Sequence, residues 1–524
     1  MRSGQPRRLH GSERSAYVSA LLAFRSSHAR GSVAADLCNG RKRSRDGPIK
    51  TGECVGRTLD RREPQGVNAI AAERSEHEYV VLGAGLAGLA AAATLGDRAL
   101  VVEQEHRPGG LVRTENFNGY WFDRVIHLLY FCDGETESRV RSLLGATLTR
   151  CPPRALVEFR DGVVPFPFQT HLAGLPPREI VRCVRDFADA FLRASDGSAP
   201  PTDYESLLRC TFGQAMCERF FFPYNIKTWK RPLSTLAPTG FQWNLARPSF
   251  DSVIRGALGE TDDNPYNGEG WYPRPAAGAP CRGMEVLSRA LASRCHQLRL
   301  RQSVSRIDLD RREISLTGDG RTTKTHWLRR CLSTIPLPTA IALCVQAPAE
   351  LRRECAQLAH NRVRSVALSI AGPRPPDRGH WRYYPDESIS FSRLVYMCEF
   401  DPLMAPPSGW GLLAEVSEPA EHPVQPAKNV IDRVCADLER IGGIPKGCSI
   451  IDAHVMDADP AYVVFTSHSQ GVVESARSFL LAGGIDVVGR YGKWEYSSMS
   501  QVMRDGFAWA DDLIAAANLE AALE

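Results

Sequence analysis

Three features of this 524-residue chain predict an α/β fold. A short β-branched run turns abruptly at Gly83 into an Ala/Leu-rich helix. A second β-branched run, RALVVEQ, follows at once. Further on, helix-periodic stretches give way to several short strand-like runs.

The first element is EYVVLGAGLAGLAAAATL, in which Gly83, Gly85 and Gly88 form GxGxxG. The first glycine allows a tight turn, the second lets the backbone approach a pyrophosphate, and the third lets helix pack closely on strand. The helix N-terminus then offers unpaired N–H groups to the anion. RALVVEQ carries Glu103, twenty residues after Gly83, where a carboxylate binds a ribose. Together these predict a dinucleotide-binding unit. The stretch Tyr79–Gly96 is uncharged, but glycines interrupt it and it barely reaches spanning length, so no membrane span is predicted. Downstream, Arg178–Ala194 and ESLLRCTFGQAMCERFF have helical spacing, and RSVALSIAG, LVYMCEF and GLLAEVS read as strands.

Composition fits a globular enzyme: 43% of residues are hydrophobic and 24% charged. The net charge of +4 is concentrated in residues 1–77, where thirteen Arg and two Lys face eight acidic residues. The rest of the chain is slightly acidic, so no nucleic-acid surface is expected. Residues 1–77 are rich in Arg, Ser and Gly without periodicity, and read as a disordered leader or the product of an upstream start. AYVSALLAF follows basic residues as a signal peptide would, but Glu13 and Arg25 spoil that pattern. Fifteen scattered cysteines with no CxxC pair point to reduced thiols in a cytoplasmic protein, with neither a disulfide scaffold nor a metal site.

FFPYNIKTWKRPLSTL places aromatic rings and cations between Pro223 and Pro232, a pattern suited to a ring stacked near a phosphate. RPGGLVR adds Gly109, Gly110 and Arg113. A GGxxR so soon after the ribose carboxylate resembles FAD-binding oxidoreductases of the amine-oxidase type, with Arg113 as a countercharge at the pyrophosphate. Near the C-terminus, GGIDVVGRYGKWEYSSMSQVMRDG reads as a strand (Ile485–Val488), a loop at Gly489–Arg490 and a helix beginning around Ser498. With YNIKTW, VPFPFQTHL, LSTIPLP, WRYYPDESISFSRL and DPAYVVF, this segment resembles the UDP-galactopyranose mutase family within those flavoproteins, over Tyr79–Gly506.

The resemblance implies FAD as cofactor, with Gly489, Arg490, Tyr496, Ser498 and Met499 added to its binding residues and the late helix dipole facing the flavin. It implies a discontinuous Rossmann-like FAD-binding domain (78–160, 256–345 and 466–524), an inserted helical domain (161–255) and an antiparallel β-sheet substrate domain (346–465). Tyr224, Lys227 and Trp229 would sit beside flavin and substrate, and Arg247 and Arg393 would meet a diphosphate with Tyr462 as hydroxyl donor. His127 follows Val125 and Ile126, where relatives carry small residues, and β-branching stiffens that backbone. The implied reaction interconverts ring forms of a nucleotide-sugar, reduced flavin N5 attacking the anomeric carbon. An amine-oxidase- or desaturase-type oxidoreductase taking hydride from a small molecule shares the same FAD motifs and stays open, as does a flavin-bound protein without catalysis. No second GxGxxG serves a nicotinamide; the electron source stays open, an external flavin reductant among the candidates.

Overall fold

The computed structural model describes residues 74–195, 199–239, 247–260 and 269–523. The expected leader lies outside the described residues as far as position 73. Its last four residues are corrected: Arg74–His77 form the start of the first strand, paired with residues 324–327.

Strand β1 (Arg74–Leu82) passes through the glycine turn into helix α1 (Leu86–Leu95) and returns as β2 (Ala99–Val102). Strands β3 (Ala155–Phe159) and β4 (Gly162–Pro165) precede a run of helices, α2 (Pro177–Ser195), α3 (Tyr204–Met216), α4 (Phe222–Trp229) and α5 (Phe250–Leu258). Next come β5 (Gln297–Arg299), β6 (Ser303–Asp308), β7 (Glu313–Gly318) and β8 (Arg321–Ser333). Then follow β9 (His360–Ala371), β10 (Trp381–Tyr383), β11 (Arg393–Tyr396), β12 (Gly409–Pro419), β13 (Ser449–Val463), β14 (Ile485–Val487) and a last long helix, α6 (Met499–Leu523).

One seven-stranded sheet runs β6-β7-β8-β1-β2-β5, with β14 also pairing to β8. Its centre is parallel: β1 lies parallel to both β2 and β8. Such a sheet is covered on both faces. Val81 and Val101 face the cluster that contains α1, whereas Val80, Leu82, Leu100 and Val102 face a second cluster with Ile341 and Leu480. Helix α6 lies against α1 so closely that a Cβ on Gly506 would stand 2.3 Å from the Ala87 carbonyl oxygen. The second sheet runs β13-β9-β12-β11-β10-β3-β4 and is antiparallel except where β10 meets β3. LVYMCEF is a strand only to Tyr396; Met397–Phe400 close it with one helical turn. The helices α2–α5 enclose their own core around Phe168, Phe187 and Phe212. Among the described residues, the cysteines are unbridged and no helix is long and apolar enough to cross a membrane.

Candidate active site

One continuous cavity of about 1050 Å³ joins the glycine turn to the aromatic helix α4. At its first end, Gly83 has φ +100°, a conformation that side chains rarely adopt. A Cβ on Gly88 would stand 2.1 Å from the Gly83 carbonyl oxygen, so this glycine permits the helix to touch the strand. A Cβ on Gly85 would meet nothing within 4 Å, since that position faces the open cavity. Helix α1 has no side-chain N-cap, and its first N–H groups are left to a ligand. The Glu103 carboxylate lines the same end, held by the backbone N–H groups of Ala84 (2.8 Å) and Glu105 (3.0 Å). Gly109, Gly110 and Arg113 line it as well; Arg113 donates to the Gly110 carbonyl (2.9 Å) and pairs with Glu105 (3.2 Å). This cradle fits the diphosphate and ribose of FAD.

The late segment closes over the cavity. Gly489, Arg490, Tyr496, Ser498 and Met499 all line it. Ser498 Oγ accepts from Gln501 N–H (3.3 Å) while Gln501 Oε1 accepts from Ser498 N–H (2.8 Å), a reciprocal cap that fixes the start of α6. The Arg490 guanidinium lies 3.8 Å over the Tyr496 ring and donates to the Ala461 carbonyl (2.9 Å). Its Nε is buried without a hydrogen-bond partner, and among the described residues no carboxylate pairs with it. His127 Nδ1 is likewise buried and unpartnered. Burial, then Arg490 and Arg393, push the His127 pKa down to about 4, so its ring is neutral at pH 7.

At the other end, Tyr224, Trp229, Tyr383, Tyr462 and Arg393 line the wall. Trp229 is only 4% exposed, and its Nε1 donates to Asn225 Oδ1 (3.1 Å), which also accepts from Tyr204 (3.1 Å). Its ring is therefore both core and cavity wall. Arg393 does not stand free. Glu415, 2% exposed, accepts from Arg393 Nε (2.8 Å) on one oxygen and from Ile126 N–H (2.8 Å) on the other. Against the cost of burial, this carboxylate holds the Arg393 guanidinium above its usual range.

Two expected site residues fall elsewhere. Lys227 is buried on the far side of α4, its ammonium bonded to three backbone carbonyls rather than turned to the cavity. Successive helical residues turn by about 100°, so Tyr224, Asn225, Thr228 and Trp229 share one arc that excludes Lys227. Arg247 is exposed and is not among the cavity-lining residues. Sequence reasoning also missed Glu415, Asn225 and Tyr383. Glu415 lies in the strand-like run GLLAEVS and Tyr383 in WRYYPDESISFSRL, where nothing local marks a carboxylate or ring as part of a site.

Fold and cradle define an enzyme class in which a dinucleotide cofactor and a second ligand meet inside one chamber. The chain belongs to the family of flavin containing amine oxidoreductases, whose model matches residues 86–515, and FAD is its cofactor. Several solved structures share the fold. Reduced UDP-galactopyranose mutase superposes with a TM-score of 0.76 at 20% identity, over 84% of this chain and 94% of that one. A redesigned putrescine oxidase gives 0.57 at 15% identity, over 84% and 100%. A CLA-producing fatty acid isomerase from P. acnes gives 0.55 at 13%, over 84% and 98%.

Proposed function

We propose that this flavoenzyme binds a nucleotide-sugar against FAD and interconverts its ring forms. The observation that carries the reading is the set of groups at the inner end of the cavity. Arg393 and Arg490 are close enough to His127 to depress its pKa, and the rings of Tyr224, Tyr383, Tyr462 and Tyr496 line the same chamber. Guanidinium groups suit a diphosphate through their paired N–H donors. Tyr224 and Trp229 line the cavity as rings for a base, at about 1–3 kcal/mol per stacking contact. A neutral His127 donates or accepts a hydrogen bond without adding charge.

Bound FAD, once reduced, supplies a nucleophilic ring nitrogen next to the sugar. The chain's own part is to hold the sugar in register and to neutralise the leaving diphosphate. Arg393 and the Tyr462 hydroxyl face the diphosphate in this reading, while Arg490 stays with the cofactor. A protonated amine suits this end less well, because among the described residues no carboxylate pairs with Arg490. Family membership keeps a second reading in view, hydride transfer from a small molecule to FAD.

The test is to incubate dithionite-reduced and oxidised enzyme with UDP-, GDP- and dTDP-sugars and to resolve the products by chromatography. Isomers formed only by the reduced enzyme are expected. Reduced enzyme that converts none of them, with aerobic turnover of an amine releasing peroxide, would overturn the proposal in favour of the second reading.

A further inference from the structure

The geometry points to Lys227 as a positioning residue that sets the diphosphate-binding wall of the cavity from behind. Its side chain is 5% exposed, and Nζ donates to the carbonyls of Phe391 (2.6 Å), Tyr384 (2.7 Å) and Asp386 (2.9 Å). Burial, then Lys230, push its pKa down to about 7, and in the protonated form the three carbonyls take all three protons of the ammonium. The three carbonyls belong to the segment that joins β10 to β11. The residues flanking that segment, Tyr383 and Arg393, are direct partners in the β10–β11 register and both line the cavity.

Tyr224, three residues before Lys227 on the same helix, meets the Tyr383 ring edge-on at 5.2 Å, while the Arg393 guanidinium lies 5.8 Å from that ring. Lys227 thus joins α4, which bears Tyr224 and Trp229, to the segment that sets Arg393. The outer part of the segment has its own anchors: Ser390 N–H to Asp437 (2.7 Å), Arg440 to the Ser388 carbonyl (2.6 Å) and the Arg160–Asp386 pair. Lys227 ties it to the cavity helix through three hydrogen bonds from one side-chain nitrogen. The inference goes beyond the choice of substrate, since it concerns how the wall is held; its ligand readout alone rests on the nucleotide-sugar reading.

The experiment uses the FAD-loaded full chain and the variants Lys227→Met, which keeps the length and loses the donors, and Lys227→Arg, which keeps donors. Hydrogen exchange is followed at residues 384–393 and, as an internal reference, at residues 79–102. UDP affinity is measured by calorimetry. Expected for Lys227→Met are exchange at least tenfold faster at 384–393, an unchanged reference segment, full FAD content and UDP binding about tenfold weaker; Lys227→Arg recovers most of that affinity. Unchanged exchange at 384–393, or equal acceleration in both segments, overturns the proposal and returns Lys227 to the general core. Wild type that fails to bind UDP sinks the nucleotide-sugar reading instead, while the exchange comparison still decides Lys227.

Discussion

The pair formed by Arg393 and Glu415 allows a quantitative test of how the site is wired. Their side chains are 14% and 2% exposed, so both charges lie largely out of water. Arg393→Met leaves Glu415 buried with Ile126 N–H as its remaining site partner, and removing one member of a buried pair costs about 3–5 kcal/mol. Glu415→Gln keeps an acceptor for Ile126 but leaves the guanidinium without countercharge. That cost falls toward the lower end of the same range, because cavity water reaches Arg393 better than Glu415. In the double variant neither charge is stranded. Its loss is expected to be smaller than the sum of the singles by about 2–3 kcal/mol, in the range of coupling between contacting residues. Urea unfolding of the four proteins at saturating FAD, followed by far-ultraviolet circular dichroism, measures this cycle. Single variants that each lose less than about 1 kcal/mol, or losses that add within about 0.5 kcal/mol, would refute the reasoning.

Two further outcomes follow from the geometry. Gly88→Ala places a methyl group 2.1 Å from the Gly83 carbonyl oxygen, so α1 must shift; FAD content is expected to fall sharply and stability by about 1–3 kcal/mol or more, whereas Gly134→Ala, with nothing within 4 Å, should change neither. His127 has a folded pKa of about 4 against an ordinary 6.5, so the unfolded chain binds more protons between those values and the stability tied to its neutral ring is lost as pH falls. At pH 5 this amounts to roughly 2 kcal/mol. His127→Asn should therefore flatten the decline of the thermal midpoint between pH 6.5 and 4.5, and an unaltered slope would contradict the assigned burial of the ring. His380, also pushed down to about 4 by burial, keeps part of the decline in the variant.

The cofactor end was legible because each of its requirements is local. A turn that needs positive φ, a helix that must touch a strand, and a carboxylate at the end of the next strand all announce themselves within some twenty residues. The substrate end was legible as composition but not as orientation. YNIKTW marked a ring-lined place, yet the resemblance that set Lys227 beside flavin and substrate carried no information on which way this side chain turns from α4. Glu415 was out of reach for another reason. It meets Arg393 across two neighbouring strands and Ile126 from a distant loop, and such pairing is a property of register rather than of any sequence window. Arg247 shows the converse, since an arginine without distinctive spacing gave no means of telling a solvated side chain from a site residue.

The interleaving of early and late chain in the first sheet has a consequence for biosynthesis. Strand β1 has hydrogen-bonded partners at 99–102 but also at 324–333, β8 is flanked in turn by residues 485–487, and α1 is covered by α6. The nucleotide cradle therefore cannot close while the chain is still on the ribosome at mid-length. At about 5–20 residues per second, the apolar faces of β1 and α1 wait for their final cover on the order of tens of seconds. During that interval the nascent chain exposes the edge and the helix surface that aggregation exploits.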